Sequence, residues 1–82
     1  MATKYDLEDW IVDYLRKSGG SAPLVDICWG IWRAHERDLR ASGDLLVTWG
    51  YDVRWAAQRL REKGTLRPVQ VSPRGIWELA KR

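Results

Sequence analysis

Eight side chains in the last third of this 82-residue chain combine types and spacing suited to chemistry: Arg54, Trp55, Gln58, Arg59, Arg61, Lys63, Arg67 and Arg74. Six are cations, one is an amide and one an indole, so the chemistry they suit is recognition of a polyanion. Guanidinium groups pair with phosphate oxygens and with guanine, and a carboxamide such as Gln58 pairs with adenine. The charge distribution points the same way. Residues 53–82 hold eight of the fourteen basic residues and two of the eleven acidic ones, whereas residues 1–30 hold three basic and five acidic. A basic end on a small domain suggests nucleic acid, against the plainer reading of a solvated surface.

Bond-making chemistry has little material here. The one histidine, His35, lies in a charged stretch beside Glu36 and Asp38, and no nucleophile–base pair is visible. The one cysteine, Cys28, falls on an apolar stripe, and one Cys with one His cannot complete a four-ligand zinc site. A glycine-rich phosphate loop is also missing. The expectation is a non-enzymatic protein with no metal and no cofactor. No apolar run approaches the roughly 20 residues that span a bilayer, and the N-terminus has no secretory pattern, so no membrane and a cytoplasmic setting are expected. Six Trp and three Tyr with no Phe must supply the bulk of a small core, and residues 1–82 read as a single domain.

Four elements must position the cations. Leu7, Trp10, Ile11, Tyr14 and Leu15 mark a helix over residues 5–18, with acids in its first turn, Arg16 and Lys17 in its last, and Gly19-Gly20 as its stop. A second helix is predicted over 23–41, capped at Ser21 or Ala22 with Pro23 in its first turn, and with Val25, Cys28, Ile31, Trp32 and Leu39 facing inward. Gly30 weakens its middle. Residues 45–49 are an apolar run that length alone assigns neither to a strand nor to a packed loop. A third helix spans 51–63, with Asp52 as a candidate cap and Gly64 as its stop. Residues 66–71 and 76–79 then read as two strands around the turn Ser72-Pro73-Arg74-Gly75, with Pro68 at an edge or bulge. The fold class is mainly α with a small β-hairpin: a winged helix-turn-helix of three helices plus a wing. Residues 42–50 are long for the turn of that motif.

Turning Val53, Ala56, Ala57 and Leu60 inward on the third helix puts Tyr51, Trp55, Gln58, Arg59 and Glu62 outward, with Arg54 and Arg61 on one flank. Such a helix suits the major groove, with Gln58 and Arg59 probing bases, while Arg67 and Arg74 on the wing suit phosphates or a narrow minor groove. Lys81 and Arg82 add charge at the end. An outward Trp55 would stack on a base or meet a partner; with the helix rotated it would pack against the hairpin. Trp29, beside Cys28 and Trp32, is a second candidate for exposure, and a surface of Trp29 and Tyr14 would be a protein contact.

Trp55-Ala56, Leu60-Arg61-Glu62-Lys63-Gly64, Leu66 and Pro73-Arg74-Gly75-Ile76-Trp77-Glu78-Leu79 resemble the N-terminal winged-helix domain of Mrr-type restriction proteins. The match covers residues 55–79, and Pro73-Arg74-Gly75-Ile76-Trp77 is its specific part. It implies a module that contacts double-stranded DNA, with Trp55, Leu60 and Gly64 structural and Arg74 on the wing. The family's nuclease has no counterpart in these residues, and its Thr-x-x-Gly after the last strand is replaced by Ala80-Lys81-Arg82, so cleavage is not carried over. The expected function is a small DNA-binding winged helix. The alternative is a winged helix that meets a protein partner, or a second copy of itself, through exposed aromatics.

Overall fold

The amphipathic pattern of residues 5–18 folds as α1 (Asp6–Lys17) in the computed structural model, which describes residues 2–80. Leu7, Ile11 and Leu15, one turn apart, are completely buried. The Asp6 carboxylate accepts the Thr3 N–H at 2.8 Å, tying the entry of the helix. At its exit the Gly20 N–H reaches back to the Leu15 carbonyl at 2.7 Å, which the positive φ of Gly19 and Gly20 permits.

The chain departs from expectation at once. Ser21–Pro23 is a strand, β1, and α2 begins only afterwards, at Leu24–Arg40. Proline's fixed φ serves an extended residue as well as a first helical turn, and here ψ is 150° at Pro23. Three residues are too few to show alternation in sequence. The face of α2 is also rotated from the expected one. Ile27, Ile31 and Leu39 are buried and Val25 is 60% exposed, because α2 turns its Ile27–Ile31 side toward the core. Gly30 is less a weakness than a seat: the ring of Tyr14 occupies the space a β-carbon would take. The helix path kinks at His35, whose φ and ψ are −130° and 18°.

The apolar run 45–49 proves helical. It forms the start of α3 (Leu45–Glu62), because Leu45, Trp49 and Val53 share one helical face. The turn between α2 and α3 therefore shrinks to Ala41, Ser42, Gly43 and Asp44. Ser42 holds it, its hydroxyl donating to the Asp38 carbonyl and accepting the Ala2 N–H at 2.9 Å. Asp52 is not a cap but an interior residue that accepts a hydrogen bond from Thr48 Oγ1 at 2.6 Å. Gly64 ends α3 with φ +81°.

The antiparallel sheet pairs β1 with β2 (Ile76–Glu78), in the register Ser21 to Glu78, Ala22 to Trp77 and Pro23 to Ile76. The segment expected as the other arm of a hairpin contributes a single bridge, Leu66 to Leu79, flanked by Arg67 N–H donating to the Glu78 carbonyl at 2.9 Å. Pro68 explains the truncation. It has no N–H for the ladder, and its carbonyl instead closes turns by accepting from Val71 and Ser72. Residues 67–75 thus form a loop rather than a strand, ended by the turn in which Ile76 N–H donates to the Pro73 carbonyl at 3.0 Å with Gly75 at φ +78°. Trp77 and Leu79 face the core, as their alternation predicts. Three helices and this sheet enclose a core of Leu, Ile, Val, Ala and Trp77. No helix among the described residues is long and apolar enough to cross a membrane.

Candidate functional site

The outward face of α3 is set by burial of its opposite side. Val53, Ala56, Ala57 and Leu60 pack inward, so Val47, Tyr51, Arg54, Gln58 and Glu62 form the exposed stripe, with Val47 85% and Tyr51 79% exposed. Arg54 is steadied by a 3.3 Å hydrogen bond from Nη1 to the Gly50 carbonyl. Glu62 is the one acid on this stripe below Gln58, and it forms no ion pair among the described residues.

Beside the stripe, Arg61 is half-buried. Its guanidinium lies over the Trp77 ring at 5.5 Å, and its Nε is enclosed without a hydrogen-bond partner among the described residues. Burial lowers its proton affinity, but a guanidinium stays charged at neutral pH. Arg61, Arg67 and Arg74 line one recess of about 100 Å³ between the end of α3 and the loop 67–75. Among the described residues no acid lines that recess, and Ser72, whose Oγ also lacks a partner among them, is on its wall. Gln58 and Arg61 continue the surface into a neighbouring hollow against Pro68, Val69 and Gln70, with Glu62 at its side. Five of the eight expected site residues, Arg54, Gln58, Arg61, Arg67 and Arg74, therefore lie on the α3 stripe and the loop beside it.

The other three turn away. Trp55, Arg59 and Lys63 recur every four residues along α3 and face α1 and the N-terminal segment. Trp55 packs edge-on against Tyr5, not against the hairpin, with ring centroids 5.4 Å apart. Lys4 Nζ lies 4.4 Å and the Arg59 guanidinium 5.1 Å from the Trp55 ring centre. Arg59 Nε donates to Glu8 Oε2 at 2.8 Å and Lys63 Nζ to Glu8 Oε1 at 2.5 Å. Glu8 is 7% exposed. Burial alone would raise its pKa, but the hydrogen bonds from Lys63 and Arg59 outweigh it and hold the carboxyl below its ordinary range. Arg59, expected to hold phosphates and probe bases, and Lys63, expected as a phosphate contact, are thus both ion-paired to Glu8 on the α1 side of α3, with their side chains still partly exposed. Sequence reasoning placed Glu8 only in the helix dipole. The 8–11–15 spacing with Ile11 and Leu15 was the signal that it flanks the buried face. Lys81 and Arg82 lie outside the described residues.

The remaining aromatics do not form one patch. Tyr51 is on the α3 stripe and Trp55 is with Tyr5, while Trp29 borders a separate apolar groove of about 370 Å³ with Val25, Cys28, Trp32 and Trp49. Tyr14 faces Gly30 rather than sharing a surface with Trp29. Burial pushes the Cys28 thiol up, partly opposed by the nearby Arg54 charge. His35 stacks flat on Trp10 at 3.8 Å.

No protein-family model, curated protein or solved structure matches this chain. The functional reading rests on the residues and their geometry.

Proposed function

We propose that this chain is a winged helix-turn-helix module that binds double-stranded DNA without acting on it chemically. In this reading α2, the four-residue turn and α3 are the helix-turn-helix, and the loop 67–75 with β2 is the wing. The observation that carries the reading is the convergence of Arg61, Arg67 and Arg74 on one recess lined by no acid among the described residues. Phosphate oxygens are the groups such a recess suits: they are anionic, they accept several hydrogen bonds, and three arginines line it. Arg54 and Gln58, exposed on α3, are the base-reading candidates, Gln58 as first expected and Arg54 in the place of Arg59. The likeness of Pro73-Arg74-Gly75-Ile76-Trp77 to the Mrr N-terminal wing supports the same assignment.

The test is a fluorescence-anisotropy titration of a labelled random-sequence duplex at salt concentrations from about 50 to about 200 mM. Binding is expected to weaken steeply with salt. The Arg67→Ala, Arg74→Ala double variant should bind more weakly and with a slope of log K against log salt shallower by about two, one for each lost phosphate contact. Arg59→Ala should bind like the parent. Absence of binding by the parent at the lowest salt would overturn the reading, as would a larger effect from Arg59 than from Arg67 and Arg74.

A further inference from the structure

The α2 surface has work that the DNA reading does not use. Val25, Cys28, Trp29 and Trp32 recur at i, i+3, i+4 and i+7 and, with Trp49 of α3, line the apolar groove. Val25 and Trp29 are 60% and 56% exposed. This spacing is the one an amphipathic helix uses to meet another helix, and a clustered apolar patch of this kind marks a contact surface.

Charge says which helix fits. Asp26 and Arg33 are both exposed, and neither forms an ion pair among the described residues. They are two turns apart, about 10.5 Å along the axis, too far to pair with each other. On a helical wheel both fall on the same flank of the apolar stripe, about 90–110° from its centre. Trp29 lies midway between them, and the Arg33 guanidinium sits 6.0 Å from its ring centre.

We infer that the groove is covered by a second copy of this chain, its α2 antiparallel to the first. In a two-fold antiparallel pair the sum of facing residue numbers is constant, and each flank meets the same flank of its mate. Setting Asp26 against the partner's Arg33 automatically sets Arg33 against the partner's Asp26. That sum, 59, puts the axis between positions 29 and 30, so Trp29 comes within about 1.5 Å, along the helix axis, of the partner's Trp29, and Val25 within about 3 Å of the partner's Trp32. One translation therefore satisfies both charges and covers the apolar stripe.

Sedimentation equilibrium of the full chain, from about 10 µM to about 1 mM, reads the association directly, since a dimer's population depends on concentration. A monomer–dimer equilibrium is expected. Asp26→Arg alone and Arg33→Asp alone should each weaken association at least tenfold by facing like charges across the axis. The Asp26→Arg, Arg33→Asp double variant should restore it, because the swapped pairs are again opposite. Both substituted positions are exposed, so circular dichroism should show each variant folded. A parent that stays monomeric throughout the range would overturn the inference and leave the groove to a different partner. A dimer that the single reversals do not weaken, or that the double reversal does not rescue, would overturn the α2 register.

Discussion

The Glu8 carboxylate on α1 accepts the Arg59 Nε hydrogen on α3 at 2.8 Å, across 51 residues of sequence. With Lys63 on its other oxygen, Glu8 ties the first helix to the end of the third. Because Glu8 is buried while its partners remain partly exposed, the pair is worth less than a wholly buried one. Glu8→Ala should lower stability by about 1 kcal/mol, seen as a lower urea midpoint at unchanged slope. DNA affinity should change less than twofold, since the two freed cations face α1 and not the Arg61–Arg67–Arg74 recess. A marked gain in DNA affinity would mean that Arg59 and Lys63 reach the same surface after all.

Acid should destabilise the protein in two stages. His35 has its pKa lowered by burial, only partly opposed by Asp38, Asp13 and Asp6, with Lys17 lowering it further. A lowered pKa means the unfolded chain takes the proton first. The stability held by neutral His35 is therefore complete above its ordinary value of about 6.5 and declines as pH falls below it. Glu8 is also lowered, so its contribution is complete above the ordinary carboxylate value and is lost as pH falls through its folded value. Urea midpoints across the acid range should fall first below about pH 6.5 and again below about pH 4.5. His35→Gln should remove the first stage alone. A parent whose midpoint is flat between neutral pH and about pH 5 would contradict the first stage.

Gly30 offers a test of packing against propensity. Alanine is the better helix former by about 1 kcal/mol, and on an open helix Gly30→Ala would stabilise. Here the Tyr14 ring occupies the place of the new methyl group. Overpacking of that kind costs about 1–3 kcal/mol, so the net effect on thermal and urea stability should be destabilising. Adding Tyr14→Ala should make Gly30→Ala favourable, and a double-mutant cycle would show the sign change.

Why the third helix, the Gly64 stop and the inward Trp77 and Leu79 were readable, and the rest was not, comes down to range. Val53, Ala56, Ala57 and Leu60 carry a helical period within one element, and Gly64 supplies a positive φ that local sequence announces. Residues 45–49 hold too few side chains to separate a period of two from one of 3.6, which is why α3 starts earlier than expected. The strand Ser21–Pro23 exists because β2 arrives from more than fifty residues away, and no local pattern encodes that pairing. The candidate site divides likewise. Arg74 follows from the turn chemistry of Ser72-Pro73-Arg74-Gly75, whereas the pairing of Arg59 and Lys63 depends on Glu8, a residue of another helix.

Arg61 separates function from stability most cleanly. Its stem and guanidinium cover Trp77 at 5.5 Å, but its enclosed Nε has no hydrogen-bond partner among the described residues. A buried donor without a partner costs about 1–3 kcal/mol, so the folded chain gains apolar cover at the expense of an unmet polar group. Methionine would keep the cover and remove the donor. Arg61→Met should leave stability unchanged or raise it by up to about 1 kcal/mol, while weakening DNA binding and reducing the salt slope by about one. That combination is the signature of a residue kept for its ligand. If Arg61→Met instead unfolds the protein and leaves the salt slope of its folded fraction intact, the guanidinium serves the core, and the recess it lines is not a phosphate site.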